Sequence, residues 1–132
     1  MNRFVQQSRS TFVIAVHDEI LLQTGVGRSG CHIEKLESVL NRIDQQMYYS
    51  DVSDIFEIAA WFGIAISKGH AFVDGNKRTG FMMAAGFLER NGWRFTATET
   101  DAAIRTLALA AGEMTKSAYA AWLETNSSAP SE

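Results

Sequence analysis

Two stretches of the chain are apolar on nearly every face. Ile55–Ile66 reads IFEIAAWFGIAI with one charge, Glu57, and Phe81–Leu88 reads FMMAAGFL with none. Runs without a polar face belong to helices buried on several sides rather than to surface helices. They predict a central buried helix pair. Asp51 or Ser53 is placed to cap the first of these, and Asn91-Gly92 to end the second.

The flanking segments are amphipathic. Thr11 is a candidate cap for a first helix through about Leu22, with Phe12, Ala15, Val16, Ile20 and Leu22 available to its core face. Thr24 to His32 holds three glycines and reads as a loop. Ile33, Leu36, Val39, Leu40 and Ile43 recur at helical spacing through about Gln46. Thr98, with Asp101 three positions on, starts a helix through about Ala111, and Thr115 caps a last one through about Glu124. Trp93 to Ala97 alternates briefly, too short a run for a sheet. Residues 1–10 and 125–132 read as loose tails, the second containing the only proline. The expectation is an all-α fold of about six helices, with residues 1–132 forming a single domain.

Composition narrows the class. The chain of 132 residues is 46% hydrophobic, and no apolar run approaches the ~18 residues that span a bilayer. One cysteine, Cys31, excludes an internal disulfide and fits a reducing, cytoplasmic setting; no partner in the sequence activates it. The net charge of −3 is uneven: residues 67–95 carry Lys68, Lys77, Arg78, Arg90 and Arg94 against Asp74 and Glu89, while both flanks are acidic. Such a balance suits a local anionic ligand and makes a poor stand-alone DNA binder.

The positive segment coincides with the polar link between the two apolar runs, residues 67–80, SKGHAFVDGNKRTG. A short link dense in polar groups between buried helices is a site on a rigid frame. Gly75 permits the tight turn that exposes consecutive N–H groups, and a helix starting at about Asn76 presents an N-terminus that favours an anion. Lys77 and Arg78 oppose the helix dipole there, a conflict that a bound phosphate removes. Asp74 can hold Mg2+ bridging phosphate oxygens. His70 suits a general base. Phe72 and Val73 are expected to point inward and pin the loop. The bland reading makes His70 structural and Lys77-Arg78 a solvated face; base, acid, glycine turn and two cations within nine residues weigh against it.

Three other features carry less. His17-Asp18 has the form of the metal pair of HD-type phosphohydrolases, but no histidine precedes it, so His17 reads as a packing or hydrogen-bonding residue. His32 and Glu34 lack the spacing of a zinc helix. Trp61, Trp93 and Trp122 read as core aromatics rather than a base-stacking platform.

His70-Ala-Phe-Val-Asp74-Gly-Asn-Lys-Arg78 resembles the HxFx(D/E)(G/A)N(G/K)R loop of the Fic/Doc superfamily, and in its lysine the Doc (death-on-curing) toxin branch. The resemblance spans roughly residues 12–124. It includes His17-Asp-Glu-Ile-Leu, the glycines 25, 27 and 30, Leu36-Glu-Ser-Val-Leu, Phe87-Leu-Glu-Arg-Asn-Gly, Ala111-Gly-Glu and Ala121-Trp-Leu. It implies a compact Fic/Doc bundle that binds ATP with Mg2+ on this loop. His70 would be the base toward a protein hydroxyl. Asp74, Gly75, Asn76, Lys77 and Arg78 would bind nucleotide and phosphate, with Lys68 a candidate assistant.

Most Fic-type enzymes transfer AMP. Here Lys77 fills the place of a small glycine, and Phe81 stands where a second arginine would contact phosphate. The Doc branch shares both departures and presents the γ-phosphate instead. The implied reaction is phosphorylation of a threonine of elongation factor Tu, the toxic step of a type II toxin–antitoxin module. Gly75 leans toward the AMP-transferring pattern, so AMP transfer (AMPylation) is the runner-up, with a non-catalytic co-repressor module as a third reading. The inhibitory [ST]xxxE[GN] motif of many Fic proteins is missing, since Ser53-Asp-Ile-Phe-Glu57 is followed by Ile58. That implies a separate Phd-like antitoxin, whose tail folds in a groove on the toxin, and only indirect contact with DNA.

Overall fold

The computed structural model describes residues 3–25, 27, 30–50 and 54–129. Six helices run through them: α1 (Arg3–Thr24), α2 (Ile33–Ser50), α3 (Ile55–Gly69), α4 (Asn76–Arg90), α5 (Glu99–Ala110) and α6 (Lys116–Thr125). The fold is all-α apart from one two-stranded sheet, and no described helix is long and apolar enough to cross a membrane.

α3 is the axis. Phe56, Ala59, Ala60, Trp61, Phe62, Gly63, Ile66 and Ser67 are all buried, as a helix with no polar face requires. Its Trp61, Phe62 and Ile66 join Val13 of α1, Leu36, Val39, Leu40 and Ile43 of α2, and Phe72 in one core cluster. Its Phe56, Ala59 and Ala60 join Ala84 and Leu88 of α4, Leu109 of α5, and Tyr119, Trp122 and Leu123 of α6 in a second. α4 packs on α3 at unusually short range. A Cβ on Gly80 would lie 2.5 Å from Ser67 Oγ and 2.8 Å from the Gly63 carbonyl oxygen. Only glycine lets the two backbones meet there.

Several expectations are corrected. α1 begins at Arg3 and takes in most of the lead-in expected to be loose: residues 3–10 hold neither glycine nor proline to stop a helix. Thr11 is therefore interior rather than a cap. From Ser10 onward, the buried positions of α1 are Ser10, Val13, His17 and Ile20, whereas Phe12 and Leu22 are 43% and 78% exposed. The true face is rotated by about one residue and centres on a histidine. Arg90 covers part of the Phe12 ring, its guanidinium 4.3 Å from the centroid. α3 is capped by Asp54, whose carboxylate accepts from the Phe56 N–H; Asp51 and Ser53 lie outside the described residues.

The second tail is tied down as well over its first residues, through Ser128. Arg94–Phe95 (β1) pairs antiparallel with Ser127–Ser128 (β2), and the Asn126 carbonyl accepts from both the N–H and the hydroxyl of Thr96. The short alternating run thus finds its partner in the segment after α6. The caps at Thr98 and Thr115 are as expected, accepting from the N–H groups of Asp101 and Ala118. Trp61 and Trp122 are buried core residues, and Trp93 packs edge-on against Phe56.

Two outcomes follow from this packing. Gly80→Ala is expected to cost about 1–3 kcal/mol in denaturant unfolding, because a methyl group forces α3 and α4 apart. Tyr119, fully buried and 2.9 Å from the Thr106 hydroxyl, has its phenol pushed up to about 12 by burial, which outweighs the opposing effect of that hydrogen bond. Its unfolded-state value is about 10. The folded protein thus keeps a proton that the unfolded chain loses, so this contribution is fully present below pH 10. It is lost as pH rises toward 12, at a cost of about 2–3 kcal/mol. Alkaline unfolding of Tyr119→Phe should show a correspondingly shallower fall across that window.

Candidate functional site

The link between α3 and α4 is short because the two helices are tightly packed, and both of its ends turn through the left-handed region. His70 ends α3 at φ 51°, ψ 35°, the one non-glycine residue with positive φ among those described. A side chain in that conformation costs about 1–2 kcal/mol. Gly75 precedes α4 at φ 84°, ψ 14°, where glycine pays no such penalty. The His70 side chain is exposed, at the C-terminal end of α3.

Between these turns the loop is held from three sides. Phe72 is 3% exposed and sits in the first core cluster. The Asn76 amide clamps it, accepting from the Phe72 N–H at 3.0 Å and donating to its carbonyl at 2.8 Å. The segment before α2 lies alongside: the His32 N–H donates to the Ala71 carbonyl and the Val73 N–H to the Gly30 carbonyl. From α1, His17 donates through Nε2 to the Asp74 carbonyl, which can only accept. Val73 departs from expectation: it is 49% exposed, because the chain bends away from the core after Ala71 and Phe72, which are both buried.

α4 differs from its neighbours at its start. α3, α5 and α6 each have a side-chain cap, from Asp54, Thr98 and Thr115. Gly75 has no side chain to offer α4, whose first backbone bond is from the Thr79 N–H to the Gly75 carbonyl. The N–H groups ahead of Thr79 and the positive end of the helix are thus available to an anion. Lys77 and Arg78 are exposed at the same end, and so is Asp74. No three potential metal-ligating side chains gather among the described residues. A hard cation at Asp74 would therefore be shared with phosphate oxygens, as suits Mg2+.

His70, Asp74, Gly75, Asn76, Lys77 and Arg78 thus lie on one loop and first helical turn. The Asn76 side chain is committed to Phe72, so what it can offer a phosphate is its main-chain N–H. Lys68 lies apart. It lines a cleft of about 200 Å³ with Val39, Arg42, Ile64, Ala65 and Gly69, none of them in the 70–78 loop. Phe81 turns into the aromatic cluster of Phe95 and Trp122, with centroids 5.6 and 6.5 Å away. The Cys31 thiol is raised above its ordinary value by burial and then by the Asp18 charge, the reverse of an activated nucleophile. His17, read from the sequence as a packing or hydrogen-bonding residue, does both, and its partner in the 70–78 loop is what the sequence did not show. Its signal was a histidine in register with Val13 and Ile20 on a buried helix face.

The Fic/DOC family model matches residues 8–88. The chain is also 33% identical over 109 residues to the protein named Protein kinase doc of Escherichia phage P1, covering 82% of this chain and 85% of that one.

The Asn76 clamp makes a direct prediction. Asn76→Asp keeps the acceptor for the Phe72 N–H but sets a second acceptor against the Phe72 carbonyl. Its expected cost is about 1–3 kcal/mol in thermal or denaturant unfolding, with faster hydrogen exchange at the Phe72 amide.

Proposed function

The chain belongs to the Fic/Doc family, and on that premise we propose that it is a Doc-type toxin of a toxin–antitoxin module. In this reading it transfers the γ-phosphate of ATP to a threonine hydroxyl of elongation factor Tu and arrests protein synthesis. The observation that carries the reading is the 70–78 loop. It sets an exposed imidazole at the end of α3 beside the uncapped, cationic start of α4. That is a base and a phosphoryl site on one rigid turn.

The chemistry asked of these residues is modest. The threonine oxygen attacks the γ-phosphorus, the bond to the bridging oxygen of the departing ADP breaks, and His70 accepts the hydroxyl proton. The main-chain N–H groups of Gly75 and Asn76, with Lys77 and Arg78, stabilise charge on the transferred group. Asp74 would hold Mg2+, which neutralises phosphate charge when bound. Lys77 occupies the space that a small residue would leave to a nucleotide lying in the AMP-transferring direction. Phe81, committed to aromatic packing, has nothing to offer phosphate. Gly75 is accounted for by its positive φ and by a Cβ there meeting the His17 ring at 3.3 Å, so it says little about which group is transferred.

The partner proposed is a separate antitoxin of the Phd kind, with a segment that folds in a groove on this chain. Glu57, the acid nearest in pattern to an internal brake, lies 3.9 Å from Lys116 in the first turn of α3. By helical rise that is about 20 Å from His70. Expression of the chain alone is expected to arrest growth, with relief on co-expression of its antitoxin; unimpeded growth would remove the toxin reading.

The deciding experiment supplies purified protein with Mg2+, elongation factor Tu and ATP labelled at the α- or the γ-phosphate. Label from the γ position alone is expected. Label from the α position would replace the kinase reading with AMP transfer, and label from neither would favour a co-repressor role. His70→Ala and Arg78→Ala should each lower the rate by about 10²–10³ with the helical circular dichroism unchanged. A fully active variant of either kind would overturn the assignment.

A further inference from the structure

His17 is almost fully enclosed, 1% exposed, on a helix that contributes none of the residues assigned to transfer. Burying an imidazole among apolar neighbours is costly unless its polar atoms are bonded. Apart from a contact with Asp18 on its own helix, the contacts described for its ring are with the motif loop. The ring lies flat on Phe72, centroids 3.9 Å apart and planes within 8°. Nε2 bonds the main-chain oxygen of Asp74, and Nδ1 faces the Asp18 carboxylate at 3.2 Å on the solvent side. A Cβ on Gly75 would come within 3.3 Å of the same ring. One side chain therefore touches the loop at Phe72, Asp74 and Gly75 in turn.

The bond to Asp74 has a geometric consequence. In a trans peptide the C=O and the following N–H point in opposite directions. With the Asp74 carbonyl drawn toward α1, the N–H of Gly75 in that peptide unit is aimed away from α1. Gly75, at φ 84°, is the residue type that tolerates this orientation. We propose that His17 is a positioning residue: it locks the 74–75 peptide plane so that the Gly75 N–H faces the phosphoryl group. The arrangement also excludes an HD-type metal role for His17, since Nε2 is spent on a carbonyl.

This inference rests on the 70–78 loop being the transfer site, so its test has one arm that needs no turnover. His17→Phe keeps the stack on Phe72 and loses the donor, whereas His17→Gln keeps an N–H near the Nε2 position. In the unliganded 15N-labelled protein, His17→Phe is expected to move and broaden the Gly75 amide resonance. His17→Gln should leave it near its wild-type position, and the Trp122 indole resonance, reporting on the distant core, should stay fixed in both. In the transfer assay His17→Phe is expected to lower kcat by roughly 10- to 100-fold with little change in KM for ATP, and His17→Gln to recover most of that loss. An unmoved Gly75 resonance in His17→Phe overturns the proposal, as does equal impairment in both variants. If wild-type protein transfers nothing, the function assigned above fails while the resonance arm still decides the role of His17. Should His17→Phe not fold, His17→Asn, too short to reach the Asp74 carbonyl, takes its place in the same comparison.

Discussion

The close approach of α3 and α4 at Gly80 governs the rest of the structure. With a Gly63 carbonyl and Ser67 filling the space a methyl group would need, the helices meet almost backbone to backbone. Their connected ends are therefore near one another, and six residues, 70–75, can close the turn. A looser crossing would demand a longer connection, and a longer connection would carry its own freedom. The left-handed turns at His70 and Gly75 are how so short a link reverses direction. The strain at His70 is sustained because packing on both sides leaves the chain no alternative path.

The division of labour within that link is between side chains and main chain. Phe72, Asn76 and His17 spend their side-chain interactions on shape, two of them by bonding main-chain groups of the loop. The groups left toward solvent are an imidazole, a carboxylate, two cations and the N–H groups opening α4. Three other helices, α3, α5 and α6, start with a side-chain cap, from Asp54, Thr98 and Thr115. At α4 that cap is withheld, and two cations are placed where the dipole disfavours them. The arrangement is locally unfavourable, and a bound polyanion of the kind proposed above would offset that cost.

Much of this was legible in the sequence. The apolar runs marked α3 and α4 because a helix with no polar face has nowhere to go but the centre. Thr98 and Thr115 announced their helices through a local rule that tertiary context did not override. Other features depended on partners remote in sequence. The face of α1 was misread because it centres on His17, a polar residue whose burial makes sense only once the Asp74 carbonyl is beside it. Val73 was expected inside with Phe72, and the bend after Phe72 leaves it outside. The pairing of Arg94–Phe95 with Ser127–Ser128 could not be inferred from a dipeptide. Asn76 was recognised by pattern, but its clamp on Phe72 belongs to three-dimensional detail.

The two bonds that fix the loop differ greatly in reach along the chain. Asn76 and Phe72 are four residues apart, so their contact can form as soon as the α3–α4 hairpin does. His17 and Asp74 are separated by fifty-seven, and their contact waits for α1 and α2 to dock and close a long loop. The outline of the loop thus depends on a local contact, and its tie to α1 on a non-local one. A chain with the α3–α4 hairpin formed and α1 undocked would hold the side chains proposed for transfer, yet lack the bond from His17 to the Asp74 carbonyl.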